Sequence, residues 1–128
     1  MRIVALMVVA ASLCAAGAFA QAPEPTVAPD LRTQAQELVV RMCVAAPEMS
    51  DLPDPTVHCA CGARLMVADL DDRQLTIFTR LFVHYPDREA ARAEAGRMIA
   101  NEGYTQAEIQ QIGALLGTSQ QIMSQCAP

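Results

Sequence analysis

Four cysteines and one histidine are the side chains best placed to do chemistry together: Cys43, the run His58-Cys59-Ala60-Cys61, and Cys126. Thiolates are soft ligands that select copper(I) or zinc, and an imidazole nitrogen suits the same metals. His58, Cys59 and Cys61 therefore make one alternative metal or thiol site, to which Met42 and Met49 would add thioethers. The favoured reading is structural, with no metal. On a helix, residues two apart leave the axis about 200° from one another, so Cys59 and Cys61 pair poorly with each other and reach different neighbours. Four cysteines allow three connectivities. Cys43 with Cys59 and Cys61 with Cys126 is preferred, because Cys43 and Cys59 stand at similar distances from the loop between them.

No other residue set assembles a catalytic centre. Asp69 and Asp71 occupy the first and third positions of an EF-hand pattern, but Arg73, Gln74 and Arg80 stand where an acceptor, the glycine and the closing glutamate belong. Helix capping accounts for those aspartates. Ser50, Ser119 and Ser124 lie in no G-x-S-x-G context. His84 falls where a helix C-terminus favours a cation. Glu48, Asp51 and Asp54 read as a solvated acidic cluster. With no nucleophile, base and stabiliser to bring together, an enzyme is not expected.

Composition and leader bear on where such cysteines would work. Arg2, the apolar run Ile3 to Phe19 and the ending Ala18-Phe19-Ala20 have the form of a secretory signal peptide cleaved after Ala20, leaving no stable membrane insertion. Its apolar run is at the lower limit for a bilayer span. Cys14 follows Leu13, where a bacterial lipobox has a small residue, so it is expected to leave with residues 1–20. The stretch 21–29 (QAPEPTVAP) reads as a proline-rich flexible linker, and one small domain occupies 30–128. An even set of cysteines in a short exported chain is a disulfide framework. The net charge of −5 argues against a surface that tracks nucleic-acid phosphates. All nine basic residues are arginine, which points to a GC-rich bacterial genome and so to the periplasm or secretion.

Five helices must then position the cysteines, and no stretch has the alternation of a half-buried strand. Leu31, Ala35, Leu38, Val39, Met42 and Ala46 form one face of a first helix, capped by Asp30 and stopped by Pro47. Asp54-Pro55 starts a second, apolar nearly all round (Val57, Leu65 and Ala68 opposite Ala63, Met66 and Leu70), which makes it the expected central helix. Asp71 and Gln74 form a capping box for a third, with Leu75, Phe78, Phe82 and Tyr85 as its core face. Pro86-Asp87 restarts the chain as a fourth helix over 88–101, packed through Ala91, Ala95, Met98 and Ile99 and ended by Gly103. Thr105 and Glu108 cap the last helix, which carries Ile109, Ile112, Leu116, Met123 and Cys126 and bends near Gly113 or Gly117.

The expected fold is all-α: a single small bundle of about five helices stapled by two disulfides. Its expected role is a binding or interaction module of the bacterial cell envelope, with an unknown envelope protein as partner. A carrier of a small apolar ligand is the alternative, its tunnel lined by stripes that include Phe78, Phe82, Met98 and Met123. The Cys-x-Cys on one helix resembles that of plant lipid-transfer proteins, which carry more cysteines, including an adjacent pair. The resemblance covers that motif alone and implies no site residues. Intact mass of the exported chain, before and after reduction, should show a start at Gln21 and two reducible bridges. Four free thiols would contradict the framework.

Overall fold

The computed structural model describes residues 29–127, so the expected signal peptide and all but Pro29 of the expected linker lie outside the described residues. Six α-helices follow one another: α1 (Leu31–Val44), α2 (Pro55–Val67), α3 (Asp72–Phe82), α4 (Arg88–Asn101), α5 (Gln106–Gly117) and α6 (Ser119–Met123). A 3₁₀ turn, Pro47–Asp51, occupies the α1–α2 connection, and the described residues contain no strand. None of their helices is long and apolar enough to cross a membrane.

Side-chain caps set most of the helix starts. The Asp30 carboxylate accepts from the Thr33 amide at 2.8 Å, and Asp54 accepts from Val57 at 3.1 Å. Reciprocal capping boxes start α3, through Asp71 and Gln74, and α5, through Thr105 and Glu108. Asp87 caps α4 through the Glu89 and Ala90 amides. Gly103 follows the end of α4 with φ of 74°, a left-handed conformation that a Cβ would disfavour.

Packing begins with α1 against α2, and α3 then touches α1, α4 and α5 while α6 returns to α2. Burial is more one-sided than the sequence pattern suggests. On α2 the buried residues are Cys59, Gly62, Ala63, Met66 and Val67, whereas Val57 is 65% exposed and Leu65 43%. The expectation of an all-round buried α2 is corrected: α1 and α6 leave part of its surface to water. The largest buried side chains are instead concentrated on α3, where Leu75, Ile77, Phe78 and Leu81 face inward. The expected face was displaced because α3 ends at Phe82, which leaves Phe82 half-buried and Tyr85 61% exposed in the following turn. His84 lies two residues beyond the last residue of α3, and its amide donates to the Leu81 carbonyl at the C-terminus of that helix. On α4, Met98 is fully buried but Ile99 is not, and the second buried residue is Glu94. The last helix breaks into α5 and α6 at Gly117-Thr118.

Arginines close the polar ends of this frame. Arg32 of α1 donates to the Val67 and Ala68 carbonyls, acceptors that the C-terminus of α2 leaves without intrahelical partners, and to the Leu70 carbonyl in the turn that follows. Arg80 of α3 donates from Nε to Glu94 at 2.6 Å and also pairs with Glu102, while Arg97 pairs with Glu94. Hydrogen bonds from Arg97 and then Arg80 hold the Glu94 carboxyl below its ordinary range. Arg73 joins α3 to the start of α5 by donating to Glu108 and to the Gly103 carbonyl, with its guanidinium 4.2 Å from the Tyr104 ring centroid.

The Arg73 hydrogen bond, followed by the capping bond from the Thr105 amide, lowers Glu108 from 4.5 to about 2. A carboxyl depressed on folding contributes stability above its unfolded value, and that contribution disappears as pH falls through its folded value. Unfolding midpoints should therefore drop between pH 4.5 and about 2. Glu108→Gln keeps a side chain suited to the capping box but removes the charge, so its acid loss should be shallower. Denaturant melts across that window check this, and an acid slope identical to that of the unaltered chain would contradict it.

Candidate functional site

Helix geometry directs the two sulfurs of α2 to different partners. Cys59 is joined to Cys43 at the end of α1, and Cys61 to Cys126 just beyond α6, with Cα separations of 5.8 and 5.9 Å. The bridges span 16 and 65 positions of sequence, so in the chain-entropy model they contribute about 3 and about 4 kcal/mol. Both sulfurs of the alternative thiolate set are thereby covalently occupied. No thiolate from Cys59 or Cys61 is present to combine with His58 in this disulfide form. Two bridges also fit an oxidising compartment.

The same constraint builds a cleft. Drawing the C-terminal segment back onto α2 leaves a space of about 580 Å³, bounded by the second half of α1, the 3₁₀ turn, α2 at His58 and Met66, and α6. A second space of about 570 Å³ lies between the α3–α4 turn, the start of α4 and α5. Phe82, Tyr85, Arg88 and Leu116 line both, so the two are halves of one open, largely apolar groove. Three stacked rings lead into it from the core. Phe78, fully buried, lies 5.1 Å from Phe82, which lies 5.8 Å from the exposed Tyr85.

The expected tunnel residues are divided between core and groove. Phe78 and Met98 are core, whereas Phe82 and Met123 line the groove. His58 lines its first half, and its Nδ1 lies 2.9 Å from the Ala127 carbonyl oxygen. A carbonyl only accepts, so Nδ1 carries the proton in that hydrogen bond and Nε2 keeps the lone pair of the neutral ring. Of the acidic loop residues, Asp54 is the α2 cap, Glu48 lines the groove and Asp51 is exposed. The described residues contain no group of three or more His, Cys, Asp or Glu arranged to hold a metal.

Sequence reasoning missed Tyr85, Arg88, Met66 and Leu116 as groove residues. Tyr85, Arg88 and Leu116 converge through the packing of α3, α4 and α5, and Met66 joins them where α6 folds back; local periodicity encodes neither. The Tyr85-Pro86 step beyond a helix end was the usable signal, because a residue before proline is pushed away from helical geometry. The groove's chemistry is that of recognition: an apolar trough, an aromatic platform and two guanidiniums, Arg88 shared by both halves and Arg92 in the α4–α5 half. Arg88 has no carboxylate within ion-pair distance among the described residues. Comparison with family models, with curated proteins and with solved structures found no match for this chain.

Proposed function

We propose that the chain is an extracytoplasmic binding module of the bacterial cell envelope, and that its groove receives an apolar segment of a partner protein. The observation that carries this reading is the pair of clefts sharing Phe82, Tyr85, Arg88 and Leu116. An open trough suits an extended or helical segment, whose apolar side chains replace water along the Phe82 and Tyr85 rings. Arg88 supplies selectivity: a partner acid at mid-groove would meet a cation with no competing ion pair among the described residues. The disulfides support a location outside the cytoplasm, and the leader-like residues 1–20 support export.

A second reading, a carrier of a free amphiphile, is favoured by one feature. Each half-groove has several hundred Å³ of largely apolar space, the scale of small-ligand sites, and Arg88 would meet an anionic head. A photo-crosslinking residue placed at Tyr85 or, as a control, at the exposed Val57 of α2 separates the readings in the exporting host. Adducts with one envelope protein from Tyr85 but not Val57, weakened about tenfold by Arg88→Glu, are expected. A small amphiphile retained in native mass spectra, without a protein adduct, would replace the first reading with the second. Equal adducts from both positions, or neither adduct nor ligand, would overturn both.

A further inference from the structure

Methionine is gathered at one end of the groove. The described residues include five methionines, and four of them (Met42, Met49, Met66 and Met123) line the same half-groove as His58; Met98 lies elsewhere, fully buried. Flexible thioethers are common gap fillers, so their number alone decides nothing. Their gathering in one cleft lining with the histidine does. His58, Gly62 and Met66 are four apart on α2 and therefore share a face. A Cβ built at Gly62 would stand 1.7 Å from the Met123 sulfur, so the missing side chain is what lets that thioether rest on α2 at the position one turn from both His58 and Met66. The Cys43–Cys59 bridge holds Met42 of α1 beside the same turn of α2. The Ala127 carbonyl orients the imidazole through Nδ1 and leaves an Nε2 lone pair. That outer hydrogen bond is the arrangement by which a ligating histidine is usually fixed.

We infer that His58, Met42, Met49 and Met123 form a thioether–imidazole site for a soft monovalent cation, copper(I) or silver(I), at the methionine end of the groove. The three thioethers are what favour such ions: zinc accepts imidazole but takes its remaining ligands from thiolate or oxygen donors, and calcium and magnesium take oxygen donors. Met42, Met49 and Met123 are half-buried and so remain reachable, while Met66, only 4% exposed, closes the floor. This site differs from the thiolate set read from sequence because both of its cysteines are spent in bridges. It is also independent of the partner-binding reading: either can fail without the other. Binding requires no electron transfer, since silver(I) has no redox chemistry to perform there.

The test uses the mature, disulfide-intact protein and silver(I) alone, followed by the methyl signals of its methionines. One equivalent should shift Met42, Met49, Met123 and the His58 ring together while Met98 stays in place as an internal control. Met42→Leu, Met49→Leu and Met123→Leu combined, which keep apolar bulk, should weaken silver(I) and copper(I) at least about tenfold in competition with a chelator. His58→Gln should weaken them by a similar factor. Unfolding midpoints of the variants separate loss of ligand from loss of fold. No shift at one equivalent, equal affinity in the triple methionine variant, or zinc binding as tight as silver would overturn the site.

Discussion

Two sulfurs leave α2 two residues apart and about 200° around its axis, so no single neighbouring helix can take both. Cys59 takes the end of α1, and Cys61 takes the segment after α6. The α2 helix thus becomes a covalent hub between the first helix and the last. A five-residue helix such as α6 has little intrinsic stability, because helix nucleation is costly and few turns repay it. Its position depends on the Cys61–Cys126 bridge and on Met123 lying against Gly62. The first half of the groove exists only while that position is kept.

The remainder of the frame is held differently. Inward-facing Leu75, Ile77, Phe78 and Leu81 on α3 meet α1, α4 and α5, giving a core that does not pass through either sulfur pair. Arg80, with its pKa raised first by Glu102 and then by Glu94, ties α3 to α4 by charge where alanine-rich α4 has little apolar surface to bury. Arg32 completes the C-terminus of α2 from α1. The molecule therefore divides its labour: hydrophobic packing and ion pairs secure α3 to α5, and disulfides secure the edges that form the groove.

Local chemistry was legible in the sequence and long-range convergence was not. Asp30, Asp54, Asp71 and Thr105 mark helix starts because a cap is a contact within three residues, and Gly103 marks a stop for the same reason. The all-helical class with two bridges followed from periodicity and an even cysteine count. Errors arose where tertiary neighbours decide burial. Tyr85 continues the apolar spacing of α3 but falls after its end, and Glu94 is buried because Arg80 and Arg97 neutralise it. The groove was legible only in fragments: His58, Met42, Met49, Phe82 and Met123 stood out singly, but nothing local assembles them with Arg88 and Leu116.

Hydrogen exchange on two double variants tests the hub most directly. Cys61→Ser with Cys126→Ser should deprotect α6 and leave the α3-centred core protected, whereas Cys43→Ser with Cys59→Ser should loosen the end of α1 and the 3₁₀ turn. The two patterns of lost protection should be separate in the chain. Loss of the same region in both variants, or full protection of α6 without its bridge, would contradict the account.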